Sequence, residues 1–197
     1  MKIFSCNINN IPDCDFFAWY NNMSESRKES VKKLPVSHKQ KLKIASDHIC
    51  RNAIAEFCGI SPEDICFSEN EYGKPYAVGL DVNFSISHSG DYAICAVSSK
   101  EIGADIEKIR EINPAVSKRF SSDSEANYIS SHKNGLFEIW TLKEAYFKCI
   151  GTGLNKEIKS VSFDIKENGI ICSEEGYECS FHSIADGYIC SVCEKTD

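Results

Sequence analysis

With 197 residues, 42% of them hydrophobic and 26% charged, the chain has the make-up of a folded protein of one domain, or of two small ones built alike. A formal charge of −7 argues against general nucleic-acid binding, and no run of 18 apolar residues exists to span a membrane. Eleven scattered cysteines with no export signal read as reduced, buried thiols.

The opening Met1–Asn7 reads as a short strand and lacks the apolar core and cleavage site of a signal peptide, so a cytoplasmic protein is expected. Between Arg27 and Arg51 stand eight basic residues against Glu29 and Asp47, a local net of +6 on an acidic chain. Such an island suits an anionic ligand held at one place. A solvated helical face explains it as well.

A helix-like stretch from about Ser46 to Phe57 stops at Gly59 and is followed by a strand at Ile65–Ser68 and a turn at Tyr72–Pro75. A strand from Asn83 then runs into the turn His88-Ser89-Gly90, and a second strand follows from Tyr92 to Ser98. The later part repeats the series. A helix-like stretch at Phe137–Cys149 stops at Gly151, a strand at Val161–Ile165 and a turn at Asn168-Gly169 follow, and Tyr188–Cys193 closes it. The openings Gly-Asp-Tyr (90–92) and Asp-Gly-Tyr (186–188) both lead into cysteine-bearing, β-branched strands. The pattern predicts an α+β fold of two similar tandem halves, 1–102 and 103–197, about a pseudo-twofold axis. Seams of this kind are favoured ligand sites.

Three patches carry chemistry. At the first, Ser87, His88 and Ser89 bring hydroxyls, an imidazole and turn amides to a strand end, a group suited to phosphate oxygens. At the second, Gly103-Ala104-Asp105-Ile106-Glu107 read as a strand puts both acids on one side. Neighbouring carboxylates repel unless a cation joins them, and Mg²⁺ prefers such oxygens. At the third, Trp140, Glu144 and Lys148 share one face of a helix, and Gly151-Thr152-Gly153 follows. Taken singly, each patch also reads as an ordinary polar strand end, solvated acidic pair or surface ion pair.

In this order, the His-Ser turn, the Gly-x-Asp-x-Glu strand and the Trp-x-x-Lys-Glu-Ala-x-x-x-Lys helix resemble the 4′-phosphopantetheinyl transferase family, in its larger single-chain type. The resemblance covers nearly the whole chain and is strongest from Tyr72 to Gly153. It implies transfer of the phosphopantetheine arm of coenzyme A to a serine of an apo carrier protein, with Mg²⁺, or Mn²⁺ in its place, and a monomeric tandem. By the same resemblance Asp105, Glu107 and Glu144 bind the metal, and Glu144 is the candidate base. Lys148 stabilises charge on the leaving phosphate. Arg27, Lys43, Ser87, His88 and Ser89 hold coenzyme A phosphates, and Gly73, Lys74 and Pro75 form the adenine-contacting turn. Ala104, Ser121 and Ser30 depart from the usual pattern, and Ser121 leaves the role of Glu125 open. Two other readings compete: a non-catalytic coenzyme A-binding module, and a zinc protein using Cys179, His182, Cys190 and Cys193, whose ligand spacing conflicts with a strand's alternation.

Overall fold

The computed structural model describes residues 1–34, 37–153 and 158–196. It is an α+β fold. The first series is β1 (Lys2–Asn7), α1 (Asp13–Asn22), α2 (Glu25–Lys32), α3 (Ser37–Cys58), β2 (Phe67–Glu69), β3 (Pro75–Ala77), β4 (Asn83–Ser89) and β5 (Tyr92–Ser98). The second is β6 (Ile102–Lys108), α4 (Asp123–Ser131), α5 (Gly135–Ile150), β7 (Phe163–Lys166), β8 (Gly169–Cys172), β9 (Tyr177–Phe181) and β10 (Tyr188–Lys195).

The sheets show the repeat directly. One runs β1-β5-β4 and the other β6-β10-β9-β8-β7, with β2-β3 a separate hairpin. In each large sheet the last strand of its series lies between the first strand and the penultimate one, antiparallel to both. Each series also carries one long helix between its first strand and the rest, α3 in one and α5 in the other.

Helix α3 begins nine residues before the expected Ser46, at Ser37. Its first turns are Lys-rich and polar, so they carry little apolar periodicity to announce a helix. Helix α5 ends where Gly151 takes a left-handed φ of 75° and returns its N–H to the Phe147 carbonyl.

Three apolar clusters hold the molecule. One packs α3 against β1, β4 and β5 around Ile54, Ala53 and Cys95. A second packs α5 against its own sheet around Leu142, Ile139 and Val161. The third is the seam, where Ile94 and Ala96 of β5 meet Ile102, Ala104 and Ile106 of β6 and Val192 of β10. At Gly103 β6 comes so close to α5 that a Cβ would stand 1.9 Å from the Ala145 carbonyl oxygen. That contact sets the strand bearing Asp105 hard against the helix bearing Glu144. Among the described residues no helix is long and apolar enough to cross a membrane.

Candidate active site

A cleft of about 430 Å³ opens between the two halves. One wall is the face of α3 that carries Lys43, Ser46, Asp47 and Cys50, with Arg27 of α2 beside it. These positions recur at three- and four-residue steps and so share one helical stripe. Asp47 is buried between two guanidinium groups, Arg27 at 3.7 Å and Arg51 at 3.1 Å. Arg51 also donates to the carbonyls of Ile65 (2.9 Å) and Pro62 (3.3 Å), which bolts α3 to the chain before β2. Both guanidinium groups lie over the Phe67 ring, at 5.9 and 4.9 Å from its centroid. Burial, with Arg27 nearby, lowers the Lys43 pKa. Other members of the basic island face away: Lys28, Lys32 and Lys41 pair with Glu25, Glu29 and Asp13.

The β2–β3 turn forms the rim. Gly73 has a φ of 84°, and with Pro75 it lines the cleft. The Asn70 side chain accepts from the N–H groups of Tyr72 and Lys74 and donates to the Gly151 carbonyl across the seam. Lys74 turns its ammonium away from the cleft and donates to the backbone carbonyls of Cys149 (2.9 Å) and Ile102 (3.3 Å). Its side chain is therefore a strut between the halves, and the cleft is lined by its two neighbours.

The opposite wall is built by β4, β6 and α5. Ser87, His88, Asp105, Glu144 and Lys148 line it. Asp105 is 4% exposed, and its Oδ1 accepts from Ser87 Oγ and from Lys148 Nζ, each at 2.6 Å. Among the described residues its Oδ2 is buried without a partner. Burial pushes the Asp105 carboxyl above the usual carboxylate range, against the pull of Lys148 and Ser87. Glu107 points to the same side of β6 but stands outside the cleft lining, accepting from Ser89 Oγ (2.8 Å) and Arg110 Nη1 (3.0 Å). The hydroxyls of Ser87 and Ser89 are thus engaged by carboxylates.

Glu144 is half-buried, and its carboxyl is pushed up to about 7, first by burial and then by the Asp105 charge, with Glu107 adding to it. Trp140, on the same stripe, packs edge-to-face on Phe120 at 5.0 Å. Adjacent Lys143 faces the interior and forms a fully buried ion pair with Glu125 at 3.0 Å. Glu125 closes a capping box with Ser122 at the start of α4 and accepts the Phe163 N–H at 3.0 Å. Its work is structural.

A divalent cation would suit this wall chemically: an orphaned carboxylate oxygen, a carboxyl whose pKa is raised by burial and then by neighbouring charge, and a third acid two residues along the strand. Among the described residues no three such side chains stand close enough together to hold an ion as they are. Zinc finds no support at the late cysteines. Cys179 and Cys193 face each other in register in the α5 cluster, while Cys190 points to the opposite side, into the seam. All eleven cysteines are free thiols, six of them buried, with Cys14 and Cys66 exposed.

Sequence reading passed over Asp47, Cys50 and Phe67. The four-residue steps Lys43-Asp47-Arg51 mark α3's working face, but the helical signal began only at Ser46. Phe67 looked like any strand aromatic.

Two family models divide the chain between them. Residues 101–193 match the family model described as the 4′-phosphopantetheinyl transferase superfamily, and residues 12–100 match the model of the 4′-phosphopantetheinyl transferase N-terminal region. A 4′-phosphopantetheinyl transferase of Bacillus subtilis is 36% identical over 161 residues, which cover 76% of this chain and 72% of that protein. The 4′-phosphopantetheinyl transferase gsp of Aneurinibacillus migulanus is 33% identical, over 74% of this chain and 65% of its own length. The solved holo-[acyl-carrier-protein] synthase of Thermotoga maritima is similar over 49% of this chain and 63% of its own, at 20% identity and a TM-score of 0.43. The family models and the sequence relatives together define a transferase. The chain belongs to the 4′-phosphopantetheinyl transferase superfamily and is of its Sfp-like type.

Proposed function

We propose that the chain moves the 4′-phosphopantetheine arm of coenzyme A onto a serine hydroxyl of an apo acyl- or peptidyl-carrier domain, releasing adenosine 3′,5′-bisphosphate. The supporting observation is the cleft itself, which has cationic side chains on its first-half wall and carboxylates with Lys148 on its second-half wall. Arg27, Lys43 and His88 bind the phosphates of coenzyme A, and the turn at Gly73 and Pro75 receives the adenine.

In the reaction the carrier serine oxygen bonds to the phosphorus that bears pantetheine, and the bond from that phosphorus to the nucleotide's bridging oxygen breaks. Such a displacement needs alignment and charge neutralisation more than covalent help. Glu144, which lines the cleft beside Asp105 and Lys148, takes the serine proton. Lys148 offers its ammonium to the departing phosphate. Asp105, Glu107 and Glu144 would hold Mg²⁺ (or Mn²⁺), which when bound neutralises the pyrophosphate. The protein works as a monomer in the cytoplasm, so light scattering should return the mass of one chain, 22.1 kDa.

Mass spectrometry of apo-carrier domains incubated with the protein, coenzyme A and Mg²⁺ tests the reading. A carrier gaining one phosphopantetheine group is expected. Carriers unmodified across a broad panel would reject it.

A further inference from the structure

Strands β4 and β6 belong to different sheets, yet they run side by side, joined by three serines. Ser85 Oγ accepts the Ala104 N–H at 2.9 Å, Ser87 Oγ donates to Asp105, and Ser89 Oγ donates to Glu107 while accepting the Lys108 N–H at 3.1 Å. Both residue series rise together, so the strands are parallel. The serines stand two apart, so one face of β4 presents all three hydroxyls to β6. Side-chain bonds replace a backbone ladder along the line where the two halves meet.

The partition of bonds on Asp105 is uneven. Oδ1 receives both Ser87 and Lys148 at 2.6 Å, while Oδ2, also inside the protein, receives nothing from the described residues. Two donors on one oxygen fix the carboxylate's rotation and hold the other oxygen in one direction. A buried acceptor left bare is costly, and its cost is met when a cation binds there. Glu107 repeats the scheme: Ser89 and the guanidinium of Arg110 both reach its Oε2.

We infer that Ser87 is a positioning residue for the divalent cation: its hydroxyl, with Lys148, engages Oδ1 of Asp105 so that Oδ2 is presented to the metal. Ser89 does the same for Glu107. This rests on the proposed reading of Asp105, Glu107 and Glu144 as metal ligands. It departs from a phosphate-binding role for the two serine hydroxyls, because each already donates its one proton to a carboxylate.

The test is calorimetric binding of Mn²⁺ and of coenzyme A, separately, to wild type, Ser87→Ala and Ser87→Thr. Loss of an orienting partner typically weakens metal binding by about 10–100-fold, and that loss is expected in Ser87→Ala. Ser87→Thr should restore metal binding, and coenzyme A binding in EDTA should be the same in all three. In turnover the Mg²⁺ activation constant should rise while the KM for coenzyme A stays put. Should Ser87→Ala not fold, Ser89→Ala carries the same expectation through Glu107. The inference is overturned if Ser87→Ala binds Mn²⁺ like wild type and loses coenzyme A affinity instead. A wild type that binds no divalent cation would overturn the ligand reading beneath it, whatever the serine variants do.

Discussion

Tyr92 and Tyr188, the opening residues of β5 and β10, meet edge to face with ring centroids 4.9 Å apart. They hold equivalent places in the two halves, so the contact marks where the repeat folds back on itself. The Tyr188 hydroxyl also accepts the Asp91 N–H at 3.0 Å. A double-mutant cycle of Tyr92→Leu and Tyr188→Leu should give a coupling of about 0.5–1.5 kcal/mol in chemical denaturation. Additive losses would mean that the rings touch without cooperating.

Gly103 is fixed by crowding, since a methyl there meets the Ala145 carbonyl at 1.9 Å and the Cys149 nitrogen at 2.3 Å. Backbone atoms cannot swing aside as a side chain can. Gly103→Ala should therefore cost about 3 kcal/mol, the upper end for overpacking, and should lower activity by moving Asp105 away from α5. An unchanged melting temperature would contradict the packing described.

The pair Lys143–Glu125 is wholly buried, with Lys143 also donating to the carbonyls of Val161 (2.5 Å) and Ile158 (3.1 Å). Lys143→Met strands the carboxylate and should cost about 3–5 kcal/mol. Adding Glu125→Gln removes the stranded charge and should recover part of that loss. Urea denaturation of the single and double variants checks both expectations.

His48 stacks on Trp19 at 3.8 Å, and its Nε2 faces the Asn52 amide, which donates to it when the ring is neutral. Burial lowers its pKa in the fold, despite the attraction of Asp47 and Asp15. The unfolded chain therefore binds this proton more tightly, so the stability this site contributes is present above the ordinary imidazole pKa and lost as pH falls. Stability relative to His48→Gln should shrink between pH 7.5 and 5.5. A constant difference across that interval would show that the ring titrates normally.

Much of this fold was legible because its signals are local. Tyr92 and Tyr188 announce matching strands, and Gly59 and Gly151 stop the two long helices. The patches at Ser87–Ser89, Asp105 and Glu144–Lys148 declared their chemistry through residue type and spacing, and the seam brings them to one cleft. What stayed hidden depends on partners distant in sequence. No pattern near Lys74 shows its ammonium crossing to Cys149, and none near Glu125 shows Lys143 arriving from another helix. The hydroxyls of Ser87 and Ser89 look free to bind phosphate until β6 is laid beside β4.

On the role proposed for Asp105, its carboxylate serves the chemistry of the cleft and not the fold, and transfer to an apo-carrier domain by Asp105→Ala decides between the two. With Mg²⁺ and coenzyme A saturating, the variant should melt cooperatively near the wild-type temperature while transfer falls by roughly a hundredfold or more. Transfer at the wild-type rate by a folded Asp105→Ala protein would contradict it.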